Sequence, residues 1–289
     1  MIKISIIIPN LHSPIIDKTI NSIKTQIPID AEIIVIGKDK YHLVKEDKKV
    51  RFIETKEKKN PAEARNIGID NAKGEILVFI DADCIADKEW LENLLKHQKD
   101  NIKIIGGSVD FDNKNFWTLC DNISHFYTLS PKGKQNNNKI NIATINLCVT
   151  KDLALSVGKF NEKLVTGEDL DFVMKIKRLN YNLFFEPAAK VYHYPKRESF
   201  MSLIGHDLEW AKNSINVRLE YSDLLNTPPK IFINKLSLIL FSPFVALNKT
   251  FRIFFIENRE YLKYWYTIPI IFISKLVWCF GAARGLKKC

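Results

Sequence analysis

The chain has 289 residues, 46% hydrophobic and 26% charged, which is enough for one large or two small domains and excludes a disordered protein. Its 43 Lys and Arg against 33 Asp and Glu leave a net charge of +10, concentrated at the end: residues 227–289 hold 10 basic residues and only two acidic ones, Glu257 and Glu260. That stretch is also the most apolar and aromatic, so its charge points to an anionic membrane surface and away from nucleic acid, whose binders interleave basic residues with polar loops.

The opening nine residues carry an apolar run too short for a signal peptide and no small-residue cleavage site, so export is not expected. Five scattered cysteines (Cys84, Cys120, Cys148, Cys279 and Cys289), with no Cys-x-x-Cys pair, read as reduced thiols in a cytosolic setting.

Over the first 110 residues, short β-branched runs alternate with helical patterns, the signature of a parallel sheet covered by crossover helices. Strands are expected at residues 3–8, 32–36, 50–54, 75–80 and 102–106. The first and fourth carry near-continuous Ile and Val, which predicts burial on both faces. Asn60-Pro61 opens a helix with a cap and an early proline, Gly74 closes it, and Asp87 caps another ending near Lys99.

From Asp110 to Lys139 the regularity fades, and Pro131, Gly133 and Asn136-Asn137-Asn138 mark a mobile loop. A strand at 140–149 resumes the fold, followed by a helix from Thr150-Lys151 to Gly158 and a second, opened by Gly167-Glu168-Asp169, running to Leu179. A strand at 182–185, the segment 189–193 and an amphipathic stretch to Tyr221 complete a first domain, residues 1–225.

Residues 226–289 form a basic, aromatic helical tail. Its uncharged stretches, 236–248 and 264–283 (the second broken only by Lys275), are respectively short of and marginal to the roughly 20 apolar residues of a transmembrane helix. A spanning hairpin would translocate residues 249–263 with four basic and two acidic residues, against the positive-inside tendency. The tail is therefore expected to lie in the interface of the cytoplasmic membrane face, with Tyr264, Trp265, Tyr266 and Trp278 at headgroup level. The alternative is a set of core helices in a soluble lobe.

The chemistry centres on Ile76-Leu77-Val78-Phe79-Ile80-Asp81-Ala82-Asp83, a buried strand ending in two acidic residues one apart. At the carboxyl edge of a parallel sheet such a pair can hold a hard divalent cation against a diphosphate, though acidic residues there also cap turns. Upstream, Arg65 lies on the helix leading into this strand, where it can reach a phosphate or pair with Glu63 or Asp70. Downstream, Glu168, Asp169 and Asp171 crowd a helix start, as a general base or as acidic residues attracted by the helix dipole.

Together the opening strand Ser5–Pro9, the Ala64-Arg65-Asn66-x-Gly68 helix, the Asp81-Ala82-Asp83 turn, Gly167-Glu168-Asp169 and His193 resemble the family 2 glycosyltransferases, in order and spacing, over residues 3–215. The resemblance implies an α/β glycosyltransferase A-type fold, a Rossmann-like, mostly parallel sheet with flanking helices. It also implies an inverting, metal-dependent sugar transfer. Asp83, Asp81 and His193 would hold Mn²⁺ or Mg²⁺, Arg65 and Pro9 would contact a nucleotide-sugar donor, and Asp169 would be the base, with Glu168 positioning acceptor or loop and Asp171 ranked third.

Where many relatives carry an acidic pair that reads the base, this chain has Gly37-Lys38-Asp39-Lys40, leaving Asp39 for that role; a UDP-sugar ranks ahead of a GDP-sugar. Asn10-Leu11-His12 stands where small hydroxyl and aromatic residues are usual in the family. Residues 106–139 and the stretch around Trp210 are expected to meet a glycan or lipid-linked acceptor, with the Trp210 ring stacking on sugar. The alternatives are a nucleotidyltransferase using the same acidic pair, which would need a glycine-rich phosphate loop not found near Pro9, and an inactive membrane-bound scaffold, against which Asp81, Asp83 and Asp169 stand intact.

Overall fold

The β-branched runs form eight strands in the computed structural model, which describes residues 3–100, 102–112, 114–225 and 234–286. They are β1 (Ile4–Leu11), β2 (Ala31–Lys38), β3 (Val50–Glu54), β4 (Ile76–Ile80), β5 (Cys84–Ala86), β6 (Ile104–Asp110), β7 (Asn146–Thr150) and β8 (Phe184–His193). One sheet holds them in the order β3-β2-β1-β4-β7-β6-β8-β5. Pairing is parallel for β1 with β2 and β4, β2 with β3, and β6 with β8. β7 runs antiparallel between β4 and β6, and β5 lies antiparallel on β8 at the edge. The expected α/β architecture is present. In β1 and β4, Ile6, Ile7, Ile8, Leu77, Val78 and Phe79 are all fully buried, as an apolar run covered on both faces requires.

The chain divides into two compact units, the first Met1–Asp110 with Lys134–His193, the second Phe111–Gly133 with Tyr194–Cys289. The first unit carries the sheet with α1 (Ile16–Lys24), α2 (Pro61–Asn71), α3 (Trp90–Leu95), α5 (Lys151–Ser156) and α6 (Glu168–Arg178). The second carries α4 (Phe116–Phe126), α7 (Phe200–Glu220), α8 (Lys235–Leu240), α9 (Ser242–Phe251) and α10 (Ile268–Gly285). The boundary expected after residue 225 abuts residues 226–233, which lie outside the described residues, as does Cys289. The other four cysteines are buried free thiols.

In the second unit, α4 and α7 fold with the C-terminal helices because their apolar faces have their partners there. Leu119, Ile123 and Leu203 pack with Ile253, Phe254 and Ile271, while Ala211 and Ile215 pack with Leu238, Cys279 and Ala282. Among the described residues, one helical run, Arg259–Gly285, is long and apolar enough to cross a membrane by length and composition.

Several local expectations are corrected. The fading stretch after Asp110 contains α4, whose start Asn115 caps by accepting from the N–H groups of Trp117 and Thr118. The loop marked by the asparagines is tied to β8 through reciprocal Asn136–Phe185 backbone bonds of 3.1 and 2.7 Å. The strand expected at 140–149 pairs only from Asn146. The two pieces expected at 182–185 and 189–193 are one strand, bent by a bulge opposite Gly107 and Ser108 that accommodates Pro187. α1 and β5 add to the expected elements, and Ile16, Ile20 and Ile23 mark the buried face of α1 at helical spacing.

Candidate functional site

The motif residues of the first unit collect at the carboxyl ends of β1, β2 and β4. Asn60 caps α2 with a full capping box: its side chain accepts from the Glu63 N–H, and the Glu63 carboxylate accepts from the Asn60 N–H. This fixes the start of the helix and hence the depth at which Arg65 and Asn66 project.

Arg65 is only 4% exposed. Its Nη1 donates to Glu168 Oε1 at 2.8 Å and its Nη2 to Asp81 Oδ1 at 2.9 Å. The partners expected for a solvated Arg are taken elsewhere, Glu63 by Lys59 and Asp70 by Lys159. Asn66 donates to Phe160 O and accepts from Phe160 N, pinning the segment that leads to α6, and the Arg65 guanidinium lies over the Phe160 ring.

The acidic turn is anchored from below. Ala82 O accepts from Ser13 Oγ at 2.7 Å and Thr19 Oγ1 at 3.0 Å, so the peptide between Asp81 and Asp83 is held by two hydroxyls that sequence reasoning passed over. The only available signal was two hydroxyl residues soon after β1. Asp83 leads into β5, where Cys84 pairs opposite His193 of β8, and this register brings Asp83 Oδ2 within 3.7 Å of His193 Nε2. Burial, joined by the Asp83 charge, pushes the Asp81 carboxyl above the usual carboxylate range against the pull of Arg65. A cation here would relieve that crowding, and two hard carboxylates with one imidazole suit Mn²⁺ or Mg²⁺. By donor type the set suits the expected ion, and the 3.7 Å approach of Asp83 to His193 brings two of the three donors together.

The three carboxylates at the head of α6 have distinct partners. Gly167 takes φ 83°, a left-handed conformation that favours glycine, and so turns the chain into the helix. Glu168 is buried against Arg65, and Asp171 pairs with Lys175 at 2.7 Å. Asp169 stays half-exposed, its Oδ1 accepting from the Leu170 N–H, with no salt bridge among the described residues. Burial first, then the adjacent Asp169 charge, pushes Glu168 up to about 7.

Pro9 lies in the part of β1 that pairs with β2 alone, beyond the last β4 partner. Asp39 follows β2 and is buried: Oδ2 accepts from the Val44 N–H at 2.7 Å, while Oδ1 has no hydrogen-bond partner. That orphaned acceptor fits a ligand donor such as a nucleobase imide.

Trp210 lies apart from these residues in sequence and in unit. It sits on α7 of the second unit, its ring 5.2 Å from His125 edge-on, with the Arg218 guanidinium 5.2 Å from its centroid. Nearby, Asp121, His125 and His206 bring ligand-type atoms within 4.8 Å of one another, a grouping their scattered positions hid. His206 Nδ1 accepts from Arg197 at 2.9 Å, and His125 Nε2 meets Asp207 Oδ1 at 2.8 Å, so these nitrogens are already engaged. Burial, with His125 beside it, lowers His206 to about 4 and keeps it neutral.

The family model for glycosyl transferase family 2 matches residues 5–151. The chain is 30% identical over 156 residues to glycosyltransferase AglE of Haloferax volcanii, covering 53% of this chain and 50% of that protein, so it spans about half the length of that relative. It is 26% identical over 255 residues to the dolichyl N-acetyl-alpha-D-glucosaminyl phosphate 3-beta-D-2,3-diacetamido-2,3-dideoxy-beta-D-glucuronosyltransferase of Methanococcus voltae, covering 82% of this chain and 78% of that one. Among solved structures, mannosyltransferase PcManGT from Pyrobaculum calidifontis, in complex with GDP-Man and Mn²⁺, is similar with a TM-score of 0.59 at 14% identity, over 94% of this chain and 85% of that one. The fold is therefore shared with a glycosyltransferase, and the matched residues include Pro9, Asp39, Arg65, Asp81 and Asp83. The chain belongs to glycosyl transferase family 2.

Proposed function

We propose that this chain is an inverting, metal-dependent glycosyltransferase moving a sugar from a nucleotide-sugar donor to a membrane-proximal acceptor, either a lipid-linked sugar or a growing glycan. The observation that carries the reading is the Arg65 bridge from Asp81 to Glu168, which ties the acidic turn to the helix presenting Asp169. GDP-Man and Mn²⁺ in the structurally similar enzyme support the donor class, and the dolichyl phosphate in the Methanococcus voltae enzyme's name supports a lipid-linked acceptor.

Asp83, Asp81 and His193 would hold Mn²⁺ or Mg²⁺, which when bound supplies positive charge beside the departing diphosphate. Asp39 Oδ1 accepts from the nucleobase, and Pro9 lines the same strand end. Arg65, its guanidinium committed to two carboxylates, is assigned as a positioning residue in place of a nucleotide contact. Asp169 takes the proton of the acceptor hydroxyl as that oxygen bonds to the anomeric carbon. The bond from that carbon to the diphosphate oxygen breaks on the opposite face, its electron pair leaving with the nucleoside diphosphate. Trp210 of the second unit is assigned to the acceptor.

Calorimetric titration of UDP and GDP, with and without Mn²⁺, into wild type and Asp83→Ala tests the reading. Mn²⁺-dependent binding of one nucleotide, lost in the variant, is expected. Binding of neither would overturn it.

A further inference from the structure

Along α8, α9 and the turn that follows, the second unit leaves a row of bulky apolar side chains exposed. Along α8, α9 and the π-helical turn Arg252–Glu257, the buried row is small or mixed: Leu238, Ser242, Ala246 and Thr250, ending in Ile253 and Phe254. The exposed row is bulky and apolar throughout. Leu236, Leu240, Phe244, Leu247, Phe251 and Phe255 recur at intervals of three or four residues and are 43–69% exposed. A helix stabilised by a soluble core places its largest apolar side chains inward, and an outward stripe of this extent marks an interaction surface.

The stripe stays in line across the junction of α8 and α9. Phe241 N–H bonds Ser237 O and Val245 N–H bonds Phe241 O, while Ser242 Oγ donates to Ile239 O, the carbonyl that Pro243 cannot serve. The two helices therefore present one face.

The helical run that passes the length and composition test for crossing a membrane has one side packed on α7 and α4 and is 39% buried. A Cβ at Gly281 would collide with Leu208 O, and one at Gly285 with Lys212 O, so α10 lies backbone to backbone on α7. A Gly-x-x-x-Gly pair in an apolar helix commonly serves association between membrane spans; here it is used within the unit. On α10, Ser274 Oγ lies 2.9 Å from Ser124 Oγ, and the Lys275 ammonium bonds Ser124 O and Oγ at 2.8 and 2.6 Å.

We propose that the α8–α9 stripe is a docking face for an anionic lipid bilayer, seating the chain in one leaflet without a membrane span. Charge selects this occupant. Lys235, Lys249, Arg252, Arg259 and Lys263 border or follow the stripe, and the only acidic residues of the stretch are Glu257, already paired with Arg252, and Glu260. A second copy of the chain would bring these cations together, whereas anionic headgroups neutralise them. Trp265 and Tyr266, both exposed, follow as interfacial aromatics. The proposal deepens the membrane-proximal part of the proposed function and rests on it.

Co-sedimentation of the full chain with phosphatidylcholine vesicles, with and without phosphatidylglycerol, tests it. Wild type is expected to bind the anionic vesicles, to weaken with salt, and to come off in an alkaline carbonate wash. Phe244→Ser/Phe251→Ser is expected to lose at least about tenfold in partitioning, with Ile29→Ser, on the exposed surface of the first unit, as the unaffected control. Circular dichroism reports whether each variant is folded, and the milder Leu247→Ser replaces the double variant if it is not. Three results would overturn the proposal: equal binding by the stripe variants, resistance to the carbonate wash, or a dimer by light scattering that the stripe variants convert to monomer. Nucleotide binding in the same samples reports the glycosyltransferase reading separately.

Discussion

Arg65 and Glu168 lie 103 positions apart and meet at 2.8 Å, with the same guanidinium reaching Asp81 at 2.9 Å. One cation therefore sets the spacing between the turn after β4 and the first turn of α6. It does so from a buried position, where the planar fork of Arg serves two carboxylates in a way a Lys ammonium does not.

Arg65→Ala is expected to cost about 3 kcal/mol or more, because removing one member of a buried ion pair strands the other charge. Arg65→Lys should recover part of the stability and little of the transfer rate, since one ammonium cannot hold both partners in place. Urea unfolding alongside initial rates at saturating donor checks both. Full activity in Arg65→Lys with weakened nucleotide binding would restore the nucleotide-contact role.

Glu168 carries a pH dependence of known sign. Its ordinary value of 4.5 rises to about 7 in the fold through burial and the Asp169 charge. The folded chain thus holds this proton more tightly than the unfolded one. The stability it contributes is complete below about 4.5 and is lost as pH climbs through about 7. Between pH 5 and pH 8, the melting temperature of wild type should fall relative to that of Glu168→Gln, the gap widening with pH; calorimetric scans across that range measure it. A constant gap would place Glu168 in the ordinary carboxylate range.

The sheet was legible because parallel strands buried on both faces advertise themselves as unbroken Ile and Val runs, and α2 because Asn60-Pro61 is a chemical start signal. The acidic turn, the Arg65 helix and the head of α6 were legible as motifs. Their division of labour was legible only in part: Asp171 and Lys175 are an i,i+4 pair, whereas the choice of Glu168 for Arg65 is made across 103 positions. α4 escaped because Asp112, Asn113 and Asn115 before it read as loop, while its apolar face is completed by residues about 80 or more positions later, such as Leu203 and Ile271. The Ser13 and Thr19 anchor on Ala82 left no periodic trace at all.

Asp169→Asn separates the roles of the carboxylates at the head of α6. The amide keeps the shape and the bond from the Leu170 N–H but accepts no proton, so transfer should fall by at least about 100-fold, the usual scale for a lost general base. Nucleotide affinity should remain near wild type, and Asp171→Asn, whose carboxylate is held by Lys175, should retain most of the rate. Initial rates of sugar transfer, paired with calorimetric nucleotide binding, read both. Transfer surviving in Asp169→Asn would move the base elsewhere.

The contact of α10 with α7 predicts opposite outcomes for two glycines. At Gly285 a methyl group would strike the Lys212 carbonyl, a backbone atom that cannot swing aside, so the helices must separate. Gly285→Ala is therefore expected to destabilise the chain by about 1–3 kcal/mol, the range for overpacking a close contact. Gly205, inside α7, has nothing within 4 Å of a Cβ at its position. There alanine only removes backbone freedom from the unfolded chain, so Gly205→Ala should stabilise by about 1 kcal/mol. Equilibrium unfolding in urea distinguishes them by sign. Equal shifts in the two variants would mean that α10 does not rest on α7 through its glycines and is free to leave it.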